Sequence, residues 1–142
     1  FEIELSTSAK RPFFMEMEIE YGDYYAGDAW KFESELAYRP NRYARFEVGG
    51  EFTNADMPVG DFDVWTTFLG VRLTPNTKLS FNSVTQYDNL SKSMGLNNRI
   101  RYIIQPGSDL YLVFNQGYDR EEGSFKSTRT ESISKLGWTF QF

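Results

Sequence analysis

The chain has 142 residues, enough for one domain, and it contains neither cysteine nor histidine. Disulfides, thiolate or histidine-bearing zinc sites and histidine-based catalysis are therefore excluded for its own residues. The formal net charge of −5 argues against nucleic acid as the main partner, and an aromatic content of 18% favours β-strands. No apolar run approaches the roughly 20 residues of a membrane-spanning helix, whereas a strand of a membrane barrel needs only about 9–11.

Apolar and polar residues alternate along most of the chain, and this spacing predicts strands with one apolar and one polar face. The alternation is already present at residues 1–5, so we expect a mature or truncated product that starts inside a strand. The pattern predicts one leading strand and eight full ones, at residues 1–8, 13–22, 29–38, 43–53, 62–73, 78–88, 93–104, 110–118 and 128–142. Only residues 62–73 are ambiguous, because large apolar side chains fall on both faces.

The connections between these strands are predicted to alternate in length. Short turns are expected at 10–12, 39–42, 74–77 and 105–109, each with a proline, and longer loops at 22–28, 54–61, 89–92 and 119–127. Tight turns at one end and longer loops at the other are typical of outer-membrane barrels. We therefore predict an all-β fold, an antiparallel up-and-down transmembrane β-barrel, as a single domain over residues 1–142.

The number of strands leaves two architectures open. Bacterial single-chain barrels have even strand numbers, so nine strands indicate either eight closing strands with a leading strand or the C-terminal part of a larger barrel. We favour the larger barrel, because a periplasmic C-terminus would make the first strand run inward from outside. Its open edge in lipid would then require missing upstream strands or a strand of another membrane protein.

The polar face of most strands carries charged residues, which decides the predicted orientation. In the alternative, a soluble up-and-down barrel that binds a hydrophobic ligand, large apolar side chains would overfill the narrow interior of about eight strands. The favoured interpretation places the charges in a lumen, where they must be paired or hydrated. The predicted lumen-lining residues are Glu16, Glu18, Glu20, Lys31, Glu33, Glu35, Arg45, Glu47, Glu51, Arg99, Arg101, Arg129, Glu131 and Lys135.

Two further expectations concern the ends of this barrel. If the strand at 13–22 is the neighbour of the last strand, Lys135 and Arg129 should approach the row Glu16, Glu18 and Glu20. Aromatic residues near strand ends predict girdles at both membrane interfaces. These are Tyr21, Tyr24, Tyr25, Trp30, Tyr38, Tyr43, Tyr87, Tyr102, Tyr118 and Trp138.

No catalytic or cofactor site is predicted, and we expect no enzymatic activity. Carboxylates that recur at every second strand residue have the spacing of a polar face rather than of an acid–base pair. Acidic loop residues lack the twelve-residue signature of a calcium loop, so we interpret them as solvated surface and predict no metal site. Basic residues are interleaved with acidic ones and do not form a nucleic-acid-binding stripe.

Residues 10–13, 21–28, 57–62 and especially 101–115, with Pro106-Gly107-Ser108-Asp109-Leu110, resemble the C-terminal part of the bacterial family domain of unknown function 5916. The resemblance covers nearly the whole chain but only the end of a typical member. It implies an outer-membrane barrel that often follows a carbohydrate-binding-like domain. That domain has no counterpart here, so sugar binding is not implied, and the family brings no catalytic residues.

The last strand resembles the targeting signal of outer-membrane proteins. Leu136, Trp138, Phe140 and Phe142 match its alternating apolar positions, with Phe142 as the terminal aromatic residue. This resemblance implies recognition by the outer-membrane assembly machinery. The predicted function is an integral outer-membrane barrel of a Gram-negative bacterium, in contact with lipid, that serves as a pore, a transport segment or a membrane anchor.

Overall fold

A computed structural model of the chain describes residues 1–24, 27–58, 60–121 and 123–139. They form one antiparallel sheet of nine strands that are arranged in chain order. The strands are β1 (Glu2–Ser6), β2 (Phe13–Tyr24), β3 (Gly27–Asn41), β4 (Ala44–Asp56), β5 (Phe62–Leu73), β6 (Leu79–Asp88), β7 (Ser93–Gln105), β8 (Ser108–Glu121) and β9 (Ser124–Gly137). The predicted all-β, up-and-down, antiparallel fold with a short first strand is confirmed.

The sheet is open in the described part of the chain. There β1 pairs with β2 alone and β9 pairs with β8 alone, so the described strands do not close a barrel by themselves. The predicted contact of the last strand with residues 13–22 is wrong, because β1 and β3 occupy both edges of β2. Lys135 instead lies opposite Tyr111 of β8, and Arg129 lies opposite Gly117.

The predicted alternation of short turns and long loops is also wrong. Strand pairing continues into two of the expected loops, since Tyr24 pairs with Gly27 and Glu121 pairs with Ser124. Glycine and aspartate in these segments indicate a loop, but the hydrogen bonds of the hairpin ladder outweigh their low strand propensity. The last strand is shifted as well, because it begins at Ser124 and ends at Gly137 instead of spanning 128–142.

The register sorts the side chains into two faces, because residues directly opposite each other point to the same side. One face carries rows such as Glu18, Glu33 and Glu51, and we call it the charged face. The other face, which we call the apolar face, carries rows such as Ile19–Phe32–Phe52–Trp65.

No second layer of secondary structure covers either face in the described residues, and the sheet has almost no core. The buried hydrophobic residues there are Ala37 and Ala55, two of the smallest side chains. Large apolar residues of the apolar face, such as Val48, Leu69 and Leu112, are exposed. A stable domain buries such a face against another layer or another apolar phase, so the sheet leaves its main hydrophobic surface without a partner of its own.

Strands β3, β4 and β5 lie close together at Gly49 and Gly50. A Cβ atom at Gly49 would lie 2.6 Å from the carbonyl oxygen of Ser34 and 2.7 Å from the ring of Phe68. A Cβ atom at Gly50 would collide with the carbonyl oxygen of Thr66. Glycine in a strand often marks such a close approach of two backbones, and here it sets the spacing of three strands.

Replacing Gly50 with alanine should therefore lower the free energy of unfolding by about 1–3 kcal/mol, the usual cost of overpacking. The matched control is Gly95→Ala, because a Cβ atom at Gly95 would meet nothing within 4 Å. The control should leave the stability unchanged or slightly higher. Urea unfolding in detergent micelles, followed by tryptophan fluorescence, measures both variants, and equal losses would contradict the strand packing described here.

Candidate functional site

The charged face carries every residue predicted to line a lumen. Strands β2, β3 and β4 contribute most of the acidic ones, and β7 and β9 contribute most of the basic ones. The structure thus brings Glu16, Glu18, Glu20, Lys31, Glu33, Glu35, Arg45, Glu47, Glu51, Arg99, Arg101, Arg129, Glu131 and Lys135 to one side of one sheet. The lumen itself stays a prediction, because the sheet is open.

A continuous row of carboxylates crosses the first four strands. Glu4 lies opposite Glu18, Glu18 opposite Glu33, and Glu33 opposite Glu51. Like charges directly opposite each other destabilise a sheet. The row is therefore compatible with a hydrated surface, where water screens the repulsion, and not with a dry interior.

Two cations offset part of this repulsion from neighbouring positions. The Nζ atom of Lys31 lies 2.5 Å from Oε1 of Glu33 and 3.7 Å from Oε1 of Glu51. The guanidinium of Arg45 donates to Glu47 and, through Nη2, to Oε1 of Glu35 at 3.2 Å. Along the strand direction, Lys31 therefore lies on one side of the carboxylate row and Arg45 lies on the other side.

The charged side chains around Arg45 are more enclosed than the apolar residues next to them. The side chains of Arg45 and Glu47 expose 19% and 23% of their surface. Phe46 and Val48, which alternate with them on the apolar face of β4, are 41% and 48% exposed. A sheet of a soluble domain has the opposite distribution, because its charged side chains are solvated and its apolar ones are buried.

Strand β5 has the same distribution of exposure. On its charged face, Val64, Thr66 and Phe68 are half-buried. On its apolar face, Trp65 and Leu69 are exposed. In these two adjacent strands the charged face is enclosed more than the apolar face, so the asymmetry is not confined to one ion pair.

At the other end of the charged face, most of the basic residues lie on β7 and β9. Arg101 donates through Nη2 to Oδ2 of Asp109 at 2.6 Å, and Arg129 donates to Oε2 of Glu131 at 3.3 Å. Within the described residues, neither Arg99 nor Lys135 forms an ion pair. The charged face is thus acidic on β1–β4 and carries both signs on β6–β9, where β9 has three cations, Lys126, Arg129 and Lys135, and one carboxylate, Glu131.

Arg72 and Asp109 are among the charged residues that sequence reasoning did not assign to this face. Arg72 lies in the ambiguous strand 62–73, and the structure places it opposite Arg45 and Asn82, with Nε 3.1 Å from Oδ1 of Asn82. Asp109 falls in the predicted turn 105–109, but β8 already begins at Ser108. The sequence signal that could have placed Asp109 on this face is its position two residues before Tyr111, because alternate residues of a strand lie on the same face.

Aromatic residues of the predicted girdle gather in part at one end of the apolar face. The rings of Phe1, Tyr21 and Trp30 contact each other at centroid distances of 4.8 to 5.9 Å. The ring of Tyr87 lies 5.1 Å from that of Trp65 and 6.0 Å from that of Phe125. Tyr43 lies near the opposite end, under the guanidinium of Arg42 at 4.7 Å. The side chain of Tyr24 and the whole of Tyr25 lie outside the described residues.

The residues of the predicted assembly signal are only partly described. Leu136 lies on β9 opposite Leu110 and is exposed on the apolar face, and Trp138 follows the end of that strand. Phe140 and Phe142 lie outside the described residues. The apolar face of β9 is otherwise hydroxyl-rich, with Thr130, Ser132 and Ser134 at its alternate positions, so the apolar pattern of the last residues does not extend back along the strand.

The part of the chain that the structure describes contains no helix with the length and apolarity needed to cross a membrane. It also contains no group of three or more aspartate or glutamate residues arranged to hold a metal ion. Comparison with protein-family models, curated proteins and solved structures finds no match for the chain. The resemblance to domain of unknown function 5916 therefore stays a prediction.

Replacing Arg45 with alanine should lower the free energy of unfolding by about 1–3 kcal/mol, because two half-buried carboxylates lose a charged hydrogen-bond donor. The matched control is Arg99→Ala, since Arg99 lies on the same face, is exposed and has no ion pair in the described residues. Chemical unfolding of both variants at low and high NaCl measures the difference, which salt should reduce. Equal losses in the two variants would contradict the role assigned to Arg45.

Proposed function

We propose that the chain is a β-barrel segment of the outer membrane of a Gram-negative bacterium. Its apolar face contacts lipid, and its charged face borders an aqueous interior. The segment serves as part of a pore or transport path, or as a membrane anchor. The observation that carries this proposal is the exposure pattern of β4 and β5, in which the residues of the charged face are more enclosed than most of the apolar-face residues that alternate with them.

Strand length supports the proposal. The shortest of the full strands, β6, has 10 residues and the longest, β3, has 15. A tilted transmembrane strand needs about 9–11 residues, so each of these strands is long enough to cross the hydrocarbon region. Lipid would also supply the apolar phase that the exposed face otherwise lacks.

Charge placement supports the same orientation. The carboxylate row from Glu4 to Glu51 requires hydration, and a water-filled interior provides it. A soluble barrel with a hydrophobic cavity would have its apolar side chains on the more enclosed face. In β4 and β5 the more enclosed face is the one that carries Arg45 and Glu47.

The aromatic clusters and the resemblances agree with this proposal. Clusters around Trp30 and Trp65 lie near one end of the strands on the apolar face, where an interfacial girdle would lie. The resemblance to domain of unknown function 5916 and the targeting-like last strand imply insertion by the outer-membrane assembly machinery. We include that machinery and outer-membrane lipid as the proposed partners.

The substitution Leu69→Arg should lower the stability of the protein in phospholipid vesicles by about 2–4 kcal/mol, the cost of a cation on the lipid face near the membrane centre. The matched control is Val84→Arg. Val84 is also exposed and lies in the neighbouring strand, but on the charged face. The control should retain near-normal stability. Urea titration of vesicle-bound protein measures both, and a larger loss for Val84→Arg would reverse the assigned faces.

Fluorescence quenching by brominated lipids tests the lipid contact directly. In a variant with Trp30 and Trp138 replaced by phenylalanine, the remaining Trp65 lies on the apolar face and should be strongly quenched. In the matched control all three tryptophans are replaced and Val84→Trp is added on the charged face, and this indole should be quenched weakly. Release of the protein into detergent-free buffer, together with an unquenched Trp65, would favour the soluble ligand-binding barrel instead.

A further inference from the structure

The outer edge of β9 is the longest unpaired edge of the described sheet. β9 has 14 residues and pairs there with β8 alone, whereas the other edge strand, β1, has 5 residues. Unpaired backbone N–H and C=O groups cannot remain in contact with lipid. This inference rests on the proposed function, since a membrane-embedded β9 must pair with a further strand.

Strand direction limits which strand can fill that edge. Directions alternate through the antiparallel sheet, so the first and the ninth strand run the same way. Strand β1 would therefore meet β9 in parallel. Strands β1 and β9 of a second copy, inserted in the same orientation, would also lie parallel to β9. Outer-membrane barrels of bacteria are antiparallel, so the neighbour that β9 requires differs from all of these.

The side chains of β9 define the chemistry of that neighbour. On the charged face, Arg129 has a side-chain exposure of 74% and Lys135 has no ion pair in the described residues. Strand β8 offers neither of them a carboxylate, because it places Gly117 and Tyr111 opposite them. Opposite charges across two strands stabilise the pair, so acidic residues complement both positions.

We propose that the edge of β9 is a docking site for a separate amphipathic β-strand. This strand runs antiparallel to β9, presents carboxylates to Arg129 and Lys135, and presents a cation to Glu131. Its alternate residues are apolar and lie on the same side as Leu136. The edge of β1 disfavours the same strand, because its carboxylates would be repelled by Glu2 and Glu4, which already lie opposite Glu20 and Glu18.

The test uses a synthetic peptide of about nine residues, the length of one transmembrane strand. On one face the peptide carries Glu, Cys, Lys and Glu in this order, and apolar residues lie between them. Antiparallel pairing places these four residues opposite Lys135, Ile133, Glu131 and Arg129, respectively. The protein carries Ile133→Cys, the sole thiol of a chain that has no cysteine. In vesicles, disulfide cross-linking should be about tenfold greater than with a control peptide whose three charges are reversed.

The double variant Arg129→Glu/Lys135→Glu, combined with Ile133→Cys, should reverse this preference and cross-link the charge-reversed peptide better. Equal cross-linking of both peptides, or no cross-linking, would overturn the docking site. An intramolecular disulfide in Ser6→Cys/Ile133→Cys would overturn it too, because β1 would then close on β9. A disulfide-linked dimer of Ile133→Cys would instead identify a second copy as the occupant and overturn the proposal.

Quenching of Trp65 by brominated lipids, measured on an Ile133→Cys variant in which Trp30 and Trp138 are also replaced by phenylalanine, separates this result from the proposed function. Strong quenching without peptide cross-linking would reject the docking site and leave the membrane segment intact. Peptide cross-linking of a protein whose Trp65 is unquenched would reject the membrane segment alone. Normal quenching in Ile133→Cys also establishes that the substitution leaves the strands folded.

Discussion

The whole structure depends on the fact that a single-layered sheet cannot shield its own apolar face. Strands β2 to β8 place large apolar side chains at alternate positions, and nothing in the described sheet covers them. The hydrophobic effect therefore favours covering this face with a second apolar phase, and the proposed orientation, supported by the enclosure of Arg45 and Glu47, makes the charged face the inner one. In the proposed function lipid is that phase, and strand length and charge pattern agree with it.

The electrostatics of the charged face follow from the same constraint. A carboxylate row such as Glu4–Glu18–Glu33–Glu51 is costly wherever water is excluded. The pairs of Lys31 and Arg45 reduce the repulsion but leave more carboxylates than cations on β1–β4. This face is therefore suited to contact with water, and β9 differs from β1–β4 because its cations, Lys126, Arg129 and Lys135, outnumber its carboxylate, Glu131.

Alternation along the sequence was sufficient to predict the strands and the face of every lumen candidate, because side-chain direction in a strand has a period of two. It failed at 22–28 and 119–127, where ladder hydrogen bonds between residues such as Tyr24 and Gly27 override the local loop signal. It also failed for the neighbour of β9. The pairing of the two edge strands of a sheet depends on contacts between residues far apart in the chain. The periodicity of a single strand contains no information about such contacts.

The strand count links the open edge to the proposed function. An antiparallel barrel can close without a parallel seam only when its strand number is even, and the described sheet has nine. In the proposed membrane barrel, at least one further strand therefore lies between β9 and β1. The edge of β9 carries Arg129 and Lys135 and favours a strand with carboxylates, whereas the edge of β1 carries Glu2 and Glu4 and favours a strand with cations. A strand that suits one edge is therefore disfavoured at the other. In the proposed barrel, the strands that complete the sheet therefore present carboxylates to β9 and cations to β1.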